Sequence, residues 1–252
     1  MAEYLIYFNQ QWVGDHSSEW FLSRVEPSMA VVHEMEAAGV VVYAGGLEED
    51  APVVSADATS GELLITDGPY VETKEHLGGL TIVDVETEDE ARMWAGRIAE
   101  GCGWPQEVRR FKSRPDGITG RRSAQPAAEP GTREYLIYFD QQWVGDHTAE
   151  WFRSRGPLAM AVVRDMEAAG VLIYTGGLVE EIEEAFSADA TSGEVLITDG
   201  PYVETKEFLG GLAIAAVSTE DEARMWAGRI AEACGWPQEL RRFGRRPDRP
   251  AH

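Results

Sequence analysis

The chain states most of its sequence twice. Tyr4-Leu-Ile-Tyr-Phe8 returns as Tyr135-Leu-Ile-Tyr-Phe139, and Asp67-Gly-Pro-Tyr-Val-Glu-Thr-Lys-Glu75 returns as Asp199-Gly-Pro-Tyr-Val-Glu-Thr-Lys-Glu207. The offset is 131 residues at the first segment and 132 at the second. The extra residue enters between Leu47 and Ser55, matched by Leu178 to Ser187, where Glu-Glu-Asp-Ala-Pro-Val-Val faces Val-Glu-Glu-Ile-Glu-Glu-Ala-Phe. A stretch that changes both length and composition reads as a surface loop or a sheet edge. Elsewhere about three positions in four are identical, which marks a duplication and not a solenoid, since a solenoid needs three or more units. Differences between the copies are the more informative positions: His33 becomes Arg164 and His76 becomes Phe208, so neither histidine is required in both.

The duplication predicts two domains, residues 1–111 and 134–243, within a chain of 252 residues. Residues 112–133 between them are rich in Pro, Gly and Arg without apolar periodicity and read as a flexible linker, with a coil reach of about 25 Å. The tail, 244–252, has similar composition. A formal net charge of −22 argues against nucleic acid or an anionic membrane as partner, because both are polyanions. No apolar run approaches a membrane span and no basic leader precedes the first strand, so a cytoplasmic location is expected. Cys102 and Cys234 occupy matching places in helical patterns and read as buried free thiols.

Within one copy, Tyr4 to Phe8 reads as a buried strand. Phe21, Val25, Met29, Val32 and Met35 recur at helical spacing up to Gly39, with Pro27 expected near the helix start. Val40 to Tyr43 is a second strand. Val53-Val54 and Glu62 to Thr66 flank the turn-rich Asp57-to-Gly61 and predict a hairpin. Leu80 to Val85 is a further strand, Thr87-Glu-Asp-Glu90 is a capping box opening a second helix, and Glu107 to Phe111 closes the copy as a strand. This order gives an α+β fold of two ferredoxin-like repeats, each a split β-α-β sheet with both helices on one face. Both faces of the first strand are apolar, so the uncovered sheet faces are expected to pack sheet to sheet within one chain as a pseudo-dimer.

The most distinctive segment runs from Asp67 to Gly79 and again from Asp199 to Gly211: a Gly-Pro turn, a charged stretch and a Gly-Gly pair between two strands. It resembles the signature of the DGPF subfamily of YciI-related proteins. The resemblance covers nearly all of each repeat, including Gly45-Gly46-Leu47 and Glu107-Val108-Arg109. It implies a dimeric α+β barrel, usually assembled from two chains and here from two repeats. Enzymes of this fold act as lyases, isomerases or oxygenases on small, often cyclic, organic molecules. YciI-like enzymes are associated with a His and Asp pair near the first helix, and Asp15-His16 and Asp146-His147 stand just before that helix without the surrounding pattern.

The candidate catalytic residues are therefore Asp67, Asp199, His16 and His147, as proton-transfer groups. Tyr70, Glu72, Lys74 and Glu75, with Tyr202, Glu204, Lys206 and Glu207, are the candidate substrate-binding residues. Each has a plainer alternative: an Asx-type turn at Asp67, a structural ion pair at Lys74, an exposed or helix-capping His16. Tyr4, Tyr7, Trp12, Trp20 and Tyr70 either line a flat pocket or pack the core. Arg109 and Arg110 either bind an anion or neutralise nearby carboxylates. No His pair stands at metal-ligand spacing and no Gly-rich phosphate loop opens a helix, so neither metal nor cofactor is expected. Three readings stand open: a cofactor-free lyase or isomerase, a non-catalytic small-molecule-binding or regulatory module, and a structural interaction protein.

Overall fold

In the computed structural model, which describes residues 1–71, 76–113, 131–203 and 208–245, the first aromatic run forms strand β1 (Ala2–Asn9). One helical turn, α1 (Gln10–Val13), leads to helix α2 (Ser18–Ala37), capped by the Ser17 hydroxyl accepting the Trp20 N–H at 3.2 Å. Gly39, at φ 73°, ends it. Pro27 lies inside α2 and does not start it. Pro27 and Ser23, whose carbonyl loses its donor, are both exposed, so water can satisfy the freed oxygen. The expected apolar stripe also holds only in part. Val31 and Met35 are buried, whereas Phe21 and Val25 stay exposed because it is Trp20 that turns inward, its ring 6.1 Å from that of Trp104.

Strand β2 (Val41–Gly46) is followed by β3 (Val54–Asp57) and β4 (Leu64–Asp67), an antiparallel hairpin whose turn begins with the Asp57 carboxylate accepting the Thr59 N–H at 2.8 Å. Then come β5 (Leu77–Val85), α3 (Glu88–Cys102) and β6 (Gln106–Arg110). The capping box forms: Thr87 Oγ1 accepts the Glu90 N–H, and Glu90 reaches back to the Glu86 N–H. The second copy supplies β7 (Arg133–Asp140), a 3-10 turn (Gln141–Trp143), α4 (Ala149–Ala168), β8 (Leu172–Gly177), β9 (Phe186–Asp189), β10 (Leu196–Asp199), β11 (Leu209–Val217), α5 (Glu220–Cys234) and β12 (Gln238–Arg242). It adds a 3-10 turn (Ile182–Glu184) in the divergent stretch. Cys102 and Cys234 are free, and burial pushes both thiols up to about 12.

Among the described residues the strands form two six-stranded antiparallel sheets, β10-β9-β6-β1-β5-β2 and β4-β3-β12-β7-β11-β8. Four neighbouring strands of each, such as β6-β1-β5-β2, come from one repeat and keep the ferredoxin-like order. The outer two come from the other repeat. The sequence repeats 1–111 and 134–243 therefore differ from the compact units by one exchanged hairpin. Unit 1 is Met1–Gly46, Lys74–Ser113 and Leu178–Thr205; unit 2 is Leu47–Thr73, Arg114–Gly177 and Lys206–His252. Most of the expected linker, 114–130, and the end of the tail, 246–252, lie outside the described residues.

In unit 1, Tyr4 and Ile6 face the helices, joining Val31, Met35, Trp94 and Ile98 with Phe186 and Ala188 of the exchanged hairpin. Leu5 and Tyr7 face the other side of the sheet, opposite Ile82 and Leu80, and all four are buried. No helix among the described residues is long and apolar enough to cross a membrane.

The Gly-Gly end of the motif has a packing role. A Cβ at Gly78 would stand 2.3 Å from Phe8 Cε2, and one at Gly210 equally close to Phe139 Cε2. Gly78→Ala and Gly210→Ala are each expected to cost about 1–3 kcal/mol in urea unfolding. Adding Phe8→Leu to Gly78→Ala should recover part of that loss, and a double variant no better than the single would show that the ring contact is not the cause.

Candidate functional site

The last strand of each repeat carries alternating charge into a buried sheet face. In unit 1, β6 pairs with β1 so that Glu107 stands opposite Tyr7 and Arg109 opposite Leu5, which places both charges on the face away from the helices. Glu107 is 1% and Arg109 2% exposed. A charge buried to this degree must find partners or lose several kcal/mol (roughly) to desolvation. The Tyr7 hydroxyl donates to Glu107 Oε1 at 2.5 Å, and the Tyr202 backbone N–H donates to Oε2 at 3.1 Å. Arg109 Nη2 donates to the Val179 carbonyl at 2.6 Å. Trp12 and Tyr202, both half-buried, continue the aromatic surface: Trp12 lies 5.9 Å from the Tyr7 ring and 5.1 Å from the Tyr202 ring.

Unit 2 repeats the arrangement. Tyr138 donates to Glu239 Oε2 at 2.5 Å and the Tyr70 N–H to Oε1 at 2.9 Å, with Trp143 between the two tyrosine rings. Glu239 and Arg241 are again buried.

The Asp-Gly-Pro turn delivers the backbone donor. Strand β10 ends at Asp199, Gly200 turns the chain at φ 96°, its N–H held by the Ala185 carbonyl, and Pro201 leads into Tyr202. Gly68, at φ 116°, does the same before Tyr70. A side chain at either glycine would strain the backbone, so the motif needs glycine there. Asp199 is pinned by Arg92 Nη2 at 2.7 Å, and Arg92 also holds Glu88 and lies over the Phe186 ring at 4.3 Å. Arg224 holds Asp67 in the same way at 2.6 Å. With the Asp199 and Asp67 side chains 85% and 75% exposed, each aspartate pair contributes only about 0–1 kcal/mol.

Of the residues singled out in the sequence, Tyr70 and Tyr202 lie at the buried carboxylates. Asp67 and Asp199 anchor the turn from the surface. His16 and His147 are exposed and stack on Trp20 and Trp151, ring centroids 3.6 Å apart, at the entry to α2 and α4. The structure thus seats the aspartates on arginines and the histidines on tryptophans. Glu72, Lys74, Glu75, Glu204, Lys206 and Glu207 lie outside the described residues. Of the aromatic set, Tyr7, Trp12 and Tyr70 line the two sites; Tyr4 packs under the helices and Trp20 against Trp104. Arg109 lies inside, while Arg110 pairs with Glu184 at the edge. Glu107 and Glu239, the centres of the arrangement, were not among the candidates. The available signal was the strand pairing: a carboxylate beside Tyr7 on a sheet face expected to be covered must itself be buried.

Burial raises the Tyr138 phenol well above its ordinary value, with Glu239 and Asp140 adding to the effect. Burial and then Asp57 raise Tyr70; burial and then Asp189 raise Tyr202. These phenols remain proton donors through the neutral range. Because their folded values lie above the unfolded value of about 10, their contribution to stability is complete below that pH and is lost as the pH rises through the folded values. Tyrosine absorbance should therefore rise at higher pH in the folded chain than in urea, and Tyr138→Phe should reduce the alkaline loss of stability. At neutral pH the same variant deprives Glu239 of a donor and should cost about 1–3 kcal/mol in urea unfolding. An unchanged alkaline profile together with unchanged neutral stability would contradict this account.

No curated protein matches the chain. The crystal structure named Putative Chlorite dismutase TA0507 aligns over 98% of this chain and 97% of its own, with a TM-score of 0.45 and 8% sequence identity. The model of the YCII-related domain matches residues 18–110 and again residues 153–234. The match takes in more than half of the chain and falls once in each repeat, so the chain belongs to the YCII-related domain family.

Proposed function

We propose that the chain is a small-molecule-binding module with two sites, one at Glu107 and one at Glu239, each taking a neutral ring-bearing molecule with a hydroxyl or ring N–H donor. The observation that carries the reading is a buried carboxylate clamped by a phenol and a backbone N–H beside half-buried aromatic rings. A carboxylate accepts such donors, and Trp and Tyr rings offer flat apolar surface. Glu107 and Arg109 share one buried face and cancel in charge, which favours a neutral ligand over an ion.

The proton-transfer role first considered for Asp67, Asp199, His16 and His147 passes, in this reading, to the Tyr7–Glu107 and Tyr138–Glu239 pairs. Their 2.5 Å contacts are suited to acid–base work, and on that ground a cofactor-free lyase or isomerase is the second reading. Membership of the DGPF branch belongs to the same proposal and is supported by the Asp-Gly-Pro-Tyr turns.

Ligand-observed NMR and calorimetry on the full chain with phenol and 2-pyridone, and with benzoate and benzylamine as charged controls, test the reading. The neutral probes should bind and the charged ones bind about tenfold more weakly or not at all. Glu107→Gln combined with Glu239→Gln should weaken the neutral probes by about tenfold, and Trp12→Leu with Trp143→Leu should do likewise. His16→Gln with His147→Gln should leave them unaffected. Absence of neutral-probe binding, or its survival in the double glutamine variant, would overturn the proposal.

A further inference from the structure

We infer that the two sites prefer different ligands and that each takes its preference from a loop of the opposite repeat: residues 179–185 for the Glu107 site and residues 48–53 for the Glu239 site. The inference rests on the reading of the buried carboxylates as binding sites.

The floors of the two sites match residue for residue: Tyr7 and Tyr138, Trp12 and Trp143, Glu107 and Glu239, Arg109 and Arg241, Tyr202 and Tyr70. The stretch where the copies diverge in length and composition is carried to the edge of these floors. At the first site its backbone meets the buried guanidinium, Arg109 Nη2 donating to the Val179 carbonyl at 2.6 Å, and the Val179 N–H donates to the Arg110 carbonyl at 3.0 Å. The second site keeps the backbone anchor, the Glu48 N–H donating to the Arg242 carbonyl at 3.0 Å.

The side chains on that shared anchor differ in kind. Both loops pair a carboxylate with the last arginine of the neighbouring strand; the first does so through Glu184 on Arg110, adds Glu180 on Lys112, and sets half-buried Val179 at the backbone anchor with half-buried Ile182 further along. The second loop is one residue shorter and puts a carboxylate where Val179 stands: Glu48 takes Arg242 at 2.5 Å and Arg133 at 3.6 Å, with its side chain 28% exposed. Valine at the anchor favours the more apolar of two rings, and a carboxylate held by two arginines at the same anchor favours the more polar. One methylene fully enclosed in a pocket is worth about tenfold or more, and a half-buried rim contact supports about half of that. Phenol should be favoured over 2-pyridone at the Glu107 site relative to the Glu239 site.

The test uses the full chain with one site weakened at a time, so that the tighter site is read: the first in Glu239→Gln and the second in Glu107→Gln. The ratio of phenol to 2-pyridone affinity should differ by about fivefold between these two proteins. Replacing residues 179–185 with the Glu-Glu-Asp-Ala-Pro-Val of residues 48–53 should move the ratio of the Glu239→Gln protein to that of the second site. The same replacement should leave the ratio of the Glu107→Gln protein unchanged. The length-preserving pair Val179→Glu with Ile182→Ala, which leaves the loop intact, should shift the ratio in the same direction. Equal ratios at both sites, or a replacement that alters the Glu239 site instead, would overturn this inference while leaving the binding reading in place. No binding of either probe to either protein would remove both.

Discussion

The pairing of each repeat's last strand with the hairpin of the other repeat is the constraint from which the rest follows. Glu107 stands opposite Tyr7 on one side and Ser187 on the other, and Glu239 stands opposite Tyr138 and Ser55. Without the hairpin, β6 would be an edge strand with open backbone groups beside a charged face. The added strands satisfy the ladder, and Phe186 and Ala188 complete the core beneath the helices. The same hairpin ends in the Asp-Gly-Pro turn, so one structural act extends the sheet past β6 and supplies the N–H that holds the carboxylate.

Local patterns carried most of the elements into view. Alternation in β1, the capping box at Thr87 and the turn at Asp57 each state a backbone requirement within a few residues, and each element forms where that requirement lies. Pro27 misled because a solvent-facing proline costs a helix less than a buried one would. The exchange of hairpins was not legible for a different reason. The strands are nearly the same in both copies, Val-Ser-Ala-Asp and Phe-Ser-Ala-Asp followed by Leu-Ile-Thr-Asp, so their own sequence does not say which sheet receives them. A motif read inside its own repeat is then credited with the wrong neighbours: Asp67 meets Arg224 and Tyr70 meets Glu239.

The same exchange separates the candidate residues of each motif from the buried charges of their own repeat. Charge and histidine stood out in the sequence, but Asp67, Asp199, His16 and His147 are exposed and satisfied by arginine and tryptophan. Nothing within the Gln-Glu-Val-Arg-Arg of β6 or the Gln-Glu-Leu-Arg-Arg of β12 marks its own glutamate as buried. Burial is a property of the partner strands, and here the partners lie far along the chain.

A buried ion on a sheet is seldom kept for stability alone. Desolvation consumes most of the attraction, and apolar residues of similar volume commonly serve as well or better. Glu107 is nonetheless supported by a tyrosine, a turn that only glycine takes without strain, and an arginine that fixes the start of that turn. Each support acts on the position of the carboxylate oxygens, and the positive φ of Gly200 is tolerated in order to aim one N–H at them. Preorganised polar groups beside accessible rings are what a binding site requires.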